Sequence, residues 1–464
     1  MPTPRDPVRV FQLLLRHPAI RALTEAARAE GVEAHLVGGV LRDRFLGLPC
    51  HDLDAMVSGC GRAVAEAVAR RLEARLVLLG GEEFGAYRLV VQPAGGRSGP
   101  GTRAGGYVLD LWDREGATLD ADLARRDFTV NSIALSTPRG ELYDPFDGFA
   151  DLRRRILRAT TEESFAGDPL RVLRLPRLLV QLPGFSADPP TLGLARAVAP
   201  DLAAVAAERV REELTLLFSR PDPQRAVAVL EALELYPGLW LGHPGEPPRA
   251  PGGERPGAGA VCAALGRLAP CALELRRLAA GLLPFPIHHR LARWTLTFAG
   301  LSELTGLAPG DGVEDALARF ARAGYLTRRD AADVRALLRL LPEWSRLESG
   351  GRGDGVVRRR FLYDAGALWP TAVCVAGARA GADPDARAAW TEAVRAVIRL
   401  DRREGETLRD PPRLLDGREI GEILGIEPGP RIGQAVEALR RAQVEGRVRT
   451  EEDARRLVRT LGIT

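Results

Sequence analysis

The chain has 464 residues, 45% hydrophobic and 27% charged, with a net charge of +4 and five cysteines. That length exceeds one hydrophobic core and implies roughly three units or an elongated multi-module protein. No apolar run reaches the ~18 residues of a membrane span, and the N-terminal MPTPRDPVRV lacks the apolar core of a secretory signal. Membrane insertion and secretion are therefore not expected, and the cytoplasm is the expected compartment.

Scattered cysteines without a CxxC pair (Cys50, Cys60, Cys262, Cys271, Cys374) argue against a disulfide framework and a zinc knuckle. All 65 basic positions are arginine, a bias that a GC-rich genome explains, so the charge permits a polyanionic partner without identifying one. Nothing in the sequence sets an oligomeric state.

Strand-like and helix-like segments alternate at first: AHLVGG then VLRDRFLGL, HDLDAMV then GRAVAEAVARRLEA, followed by RLVLL, AYRLVVQ and YVLDLW. This predicts a small α/β or α+β sheet domain. Beyond about Arg153 the strand signals fade. DPLRVLRLPRLLVQL, AAERVREELTLLF and PQRAVAVLEALELY repeat apolar residues at the helical spacing of three and four, so the remainder is expected to be all-helical. Gly/Pro-rich breaks at 93–106, 242–259 and 350–355 mark loops or boundaries. The first of these is either a mobile lid or a long turn.

Asp52 and Asp54 stand two apart among β-formers, and alternate residues of a strand share a face. Their carboxylates would repel, and a Mg²⁺ ion is the usual compensation, although the same spacing also occurs in solvated loops. Gly38-Gly39 joins a strand to a helix carrying Arg42 and Asp43. Such a turn lets backbone approach a triphosphate, or serves as ordinary punctuation. Asp110 in YVLDLW is a candidate third carboxylate or an edge-strand aspartate.

In order, LVGGVLRDRFLGLPCHDLDAMV, DLARRDFTVNSIAL, ELYDPFDGFADLRRRILRAT, FAGDPLRVLRLPRLL and AAERVREEL resemble five successive motifs of the class II tRNA nucleotidyltransferases, or CCA-adding enzymes. Bacterial poly(A) polymerases are the sister group, within the polymerase-beta-like nucleotidyltransferase superfamily. The resemblance covers Ala34 to about Leu217. It implies an α+β fold: a nucleotidyltransferase head with a small mixed sheet over 1–158, a helical neck that selects nucleotides over 159–222, a helical body over 223–400 and a helical tRNA-binding tail over 401–464.

The same resemblance implies roles. Asp52 and Asp54 would hold two Mg²⁺ ions, with Asp110 a third catalytic carboxylate. Gly38, Gly39, Arg42 and Asp43 would form the phosphate turn, and Arg126, Asp127 and Asn131 would contact phosphate or sugar. Asp168, Arg171, Arg174 and Arg177 would line the base and phosphate pocket. On a helix Asp168 and Arg171 share a face; they offer an acceptor beside a donor, the pattern that matches cytosine and adenine and mismatches guanine and uracil. An intrahelical salt bridge is the simpler account of that pair. Gly167 and Leu178 depart from the family pattern, and Pro176 is expected to kink the helix.

The C-terminal GREIGEILGIEPGPRIGQ…GRVRT, two amphipathic stretches around Gly-Pro punctuation, is similar to the tail of CCA-adding enzymes and favours tRNA over poly(A) synthesis. His51-Asp52 is the only His-Asp dipeptide and belongs to the first motif, while His288-His289 lacks a following Asp, so no phosphohydrolase activity is expected. The implied activity is template-independent addition of CCA to a tRNA 3′ end from CTP and ATP. A poly(A) polymerase, a CC-adding or A-adding enzyme, and an inactive RNA-binding protein are the alternatives.

Overall fold

A computed structural model describes residues 7–50, 52–79, 85–92, 106–114, 118–219, 224–235, 259–279, 283, 286–289, 291–297, 311–350, 354–381 and 383–461. The chain forms two compact units, Met1–Val205 and Ala206–Thr464. The fold is α+β.

The first unit is built on a mixed seven-stranded sheet: β1 (Ala34–Val37), β2 (Asp52–Val57), β3 (Arg75–Leu79), β4 (Ala86–Val91), β5 (Tyr107–Asp113), β6 (Ala134–Ser136) and β7 (Leu142–Tyr143), in the order β3-β4-β5-β2-β1-β6-β7. Among the described residues of this sheet only β2 and β5 run parallel, and its other pairs are antiparallel. Leu53, Ala55 and Val57 are buried on one face of β2. On the other face Met56 packs with Val37, Leu123 and Ala134, while Asp52 and Asp54 occupy its more open end. One strand thus carries an apolar anchor and a polar site, with the period of two setting which residues serve each.

Helices α1 (Pro7–Leu15) and α2 (Pro18–Ala29) precede the sheet and were not among the expected elements. Between and after the strands lie α3 (Gly39–Phe45), α4 (Gly61–Leu72), α5 (Leu119–Ala124), α6 (Gly148–Arg154), α7 (Arg171–Gln181) and α8 (Pro189–Val198). The start of α6 is fixed by Asp144, whose carboxylate accepts the Gly148 and Phe149 backbone N–H groups at 2.8 Å each. A Cβ on Gly148 would lie 2.1 Å from the Thr129 carbonyl oxygen, so only glycine lets α6 reach the short 3₁₀ turn Thr129–Asn131.

One expectation for this region fails. The segment after Arg153 is not wholly helical: β8 (Ile156–Leu157) and β9 (Ser186–Ala187) form a small parallel pair. Two-residue strands leave no periodic signal in a sequence. α7 runs through Pro176 to Gln181 with the proline ring buried. Proline lacks an N–H, so the Val172 carbonyl loses its usual helical donor and burial of the ring offsets that loss.

The second unit is all-helical among the described residues, with long helices at Gly259–Leu278, Arg328–Glu348 and Pro384–Arg409. Trp294, Trp344, Trp369 and Trp390 are fully buried in it. Three helices close the chain, Gly417–Leu424, Pro430–Val444 and Glu451–Thr460, where two amphipathic stretches were expected. They share a core of Leu415, Ile420, Ala435, Leu439, Val448 and Val458. The last helix starts at a reciprocal Thr450–Asp453 capping box. The Gly/Pro-rich breaks at 93–105, 242–258 and 351–353 and His51 lie outside the described residues. No described helix is long and apolar enough to cross a membrane.

Candidate active site

The site forms where β1 ends. Gly38 has φ +72°, and a Cβ there would stand 3.3 Å from Asp54 Oδ2 and 3.4 Å from Arg126 Nη1. The strand-to-helix turn thus lies directly against the carboxylate and the arginine. Asp54 is level with Asp110 across the parallel β2–β5 pair, and Asp110 is level with Arg88 across β4–β5. Burial pushes the Asp54 carboxyl up to about 6; Asp110 and Asp52 push the same way, while Arg126 and Arg42 oppose them. This crowding of like charges is the electrostatic condition that a bound divalent cation relieves.

Behind the turn, Arg42 is only 5% exposed. Its Nε donates to Asp43 at 2.7 Å and its Nη1 to the Asn131 amide oxygen at 2.6 Å. Asn131 Nδ2 in turn donates to Asp127 Oδ1 at 2.9 Å, which also accepts the Phe128 N–H at 2.8 Å. The other Asp127 oxygen faces Arg174 Nη1 at 3.2 Å. Burial alone would raise the Asp127 pKa; Arg174, Asn131, the Phe128 N–H and Arg171 together hold it below the ordinary carboxylate value. Arg126 is braced by Asp122 at 3.2 Å and lies over the Trp112 ring.

Asp168 and Arg171 are neighbours, with Arg171 Nε 3.9 Å from Asp168 Oδ2, yet they do not share a helix. α7 begins at Arg171, and Asp168 sits in the preceding turn. Pro169 follows it, and the residue before a proline is driven out of helical geometry. Arg171 Nη1 donates to the Ser164 carbonyl at 2.7 Å, and Ser164 Oγ donates to the Arg126 carbonyl at 3.2 Å. Arg177 Nη1 donates to Gln181 Oε1 at 3.4 Å on its own helix.

These contacts tie most of the expected residues together. One linked group is Asp52, Asp54, Asp110, Gly38 and Arg126; the other runs from Asp43 through Arg42, Asn131 and Asp127 to Arg174 and Arg171. The Nε atoms of Arg126 and Arg171 are buried without a hydrogen-bond partner, donors that an acceptor-bearing ligand would satisfy. Sequence reasoning missed Arg88, Asp122 and Ser164. Only Asp122 left a trace, in its i,i+4 spacing to Arg126.

Residues 34–158 match the poly A polymerase head domain, and 184–241 match the probable RNA and SrmB-binding site of polymerase A. The chain is 30% identical to a CC-adding tRNA nucleotidyltransferase of Geobacter sulfurreducens, with 95% of this chain and 94% of that protein covered. It is 31% identical to an A-adding tRNA nucleotidyltransferase of Deinococcus radiodurans, over 92% and 94%. The chain belongs to the tRNA nucleotidyltransferase family. It is thus a nucleotidyltransferase, of a family that generally uses divalent metal ions. The fold agrees: a Thermotoga maritima CCA-adding enzyme complexed with tRNA has a TM-score of 0.62 at 19% identity, with 99% of each chain covered.

Proposed function

We propose that the protein extends tRNA 3′ ends without a template, using CTP and ATP. What carries this reading is the linkage of two groups of opposite chemistry in one unit. A crowded carboxylate set at β2 and β5 lies against the Gly38 turn and Arg126, and an acceptor–donor pair, Asp168 and Arg171, lies by Asp127 and Arg174. Asp52 and Asp54 would hold two Mg²⁺ ions. Bound there, the ions supply activation of the attacking hydroxyl and charge neutralisation at the phosphate.

The protein's own groups position the substrate. Gly38 and Gly39 admit the triphosphate, Arg126 and Arg174 neutralise it, and Asp168 with Arg171 presents an edge complementary to cytosine or adenine. Arg42, Asp43, Asp127 and Asn131 hold that frame, since their polar atoms mostly engage one another. Arg177 completes the pocket from the next turn of α7. We divide the chain into a catalytic head (1–158), neck (159–222), body (223–400) and tRNA-binding tail (401–464).

A second reading rests on two relatives matched over nearly their whole length, each named for adding part of the CCA end. The test incubates the full chain and Mg²⁺ with tRNAs ending before CCA, at C or at CC, each with one labelled nucleotide. Ordered addition of C, C and A supports the first reading. Addition of C alone or A alone supports the second, a long A tail makes the protein a poly(A) polymerase, and no incorporation leaves only an inactive RNA-binding protein.

A further inference from the structure

Arg88 stands on the same face of the sheet as the carboxylates. The register places Arg88, Asp110 and Asp54 side by side on β4, β5 and β2. Arg88 Nε donates to Asp110 Oδ1 and Nη2 to Oδ2, both at 2.8 Å, so one guanidinium occupies both oxygens of the third carboxylate. Among the described residues no three His, Cys, Asp or Glu side chains converge on a point that could hold a metal ion, although three aspartates share this face. The Arg88 side chain is 46% exposed and that of Asp110 only 17%, so the arginine reaches in from solvent over a carboxylate fixed in the sheet.

We propose that Arg88 is a positioning residue that makes Asp110 a conditional metal ligand: the carboxylate joins a cation only when the guanidinium swings away. Asp52 and Asp54 then form the permanent part of the site, and Arg88 competes with the cation for Asp110. This rests on the metal-centre reading given above. The competition is between two cations for one set of oxygens, and the long exposed arginine is the partner with a place to go, because its head group can be hydrated outside the sheet. A unit charge a few ångströms from a dication, at the dielectric of a solvent-exposed site, is worth on the order of tenfold in affinity.

The test is Mn²⁺ binding to the full-length protein, followed by the EPR signal of the free ion, with circular dichroism as a control for folding. Arg88→Leu is expected to bind Mn²⁺ about three- to tenfold more tightly than the parent protein, and Arg88→Lys, which keeps the charge, to lie close to it. Asp110→Asn placed on Arg88→Leu should abolish the gain, the coupling expected when both residues act on one ion. Weaker binding by Arg88→Leu would mean that the arginine merely supports the sheet, and an unchanged Kd would mean that it does not compete; either overturns the proposal. Asp52→Asn separates the two levels. If Mn²⁺ binding needs Asp52 but ignores Arg88, only this proposal fails; if it also ignores Asp52, the metal-centre reading fails with it.

Discussion

Asp54 should lower the stability of the metal-free protein while being required for its activity. Its carboxyl has a pKa of about 6 against an ordinary value of 3.8, caused first by burial and then by Asp110 and Asp52. The folded state therefore holds this proton more tightly than the unfolded chain, and stability falls as pH rises between about 4 and 6. A shift of roughly two units corresponds to about 3 kcal/mol as an upper bound. Because Asp54 is only partly buried, solvent screening reduces this, and about 1–3 kcal/mol is expected.

Asp54→Asn keeps the shape and removes the charge. In EDTA at pH 8 it should raise the melting temperature of the first unit by about 3–10 °C, and at pH 4 the two proteins should melt within about 2 °C of each other, because the folded Asp54 is protonated there and the unfolded carboxyl is only about half ionised. Millimolar Mg²⁺ should narrow the difference at pH 8 by stabilising only the parent protein, and nucleotide incorporation by the variant should be lost. Differential scanning fluorimetry across this grid is sufficient. A variant less stable than the parent at pH 8, or a difference that does not change with pH, would refute the electrostatic reasoning.

Asp127→Ala should cost about 2–3 kcal/mol, because it removes the carboxylate that faces the partly exposed Arg174 and leaves the buried Asn131 amide without that acceptor; the urea midpoint is the measure, and a loss under about 1 kcal/mol would contradict the network. Since the Asp127 pKa is held low, its contribution is present above the unfolded carboxylate pKa and is lost as pH falls through the folded value. Gly148→Ala should destabilise the first unit by at least about 2 kcal/mol, since its Cβ meets a backbone oxygen that cannot give way. Thr450→Ala should cost about 1 kcal/mol by removing a helix cap while leaving nucleotide incorporation on a short RNA unchanged. Asp168→Ala should relax base choice in single-nucleotide assays; an unchanged preference for CTP and ATP would remove it from selection.

The strands that carry the site were legible because they are short runs rich in Val, Leu and aromatic residues: β1 through β5 all lie in segments that read as strands. The Asp52 and Asp54 pair was equally visible, but its meaning came only from Gly38, Arg126 and the later motifs. Arg88 was not legible, because nothing in AYRLVVQ or YVLDLW says that β4 and β5 pair in the register that sets Arg88 opposite Asp110. Register is a property of the assembled sheet, fixed by burial of the alternate face. The helical placement of Asp168 failed for a local reason that the sequence did contain: the apolar period continues through DPLRV, but Pro169 disfavours helical geometry one residue earlier.

Arg42, Asp43, Asp127 and Asn131 are each under 10% exposed, three charged groups and one amide buried together in one small sheet domain. Such a cluster contributes little net stability, since desolvation offsets most of the attraction. Its physical value is geometric. Asp127 accepts from Asn131 on one side and faces Arg174 on the other, so the turn that carries Gly38 and the helix that carries Arg171 are referenced to one carboxylate. A displacement at either end must break a buried, charge-assisted contact, and under the proposed function that rigidity would hold the phosphate-side and base-side groups at a fixed separation.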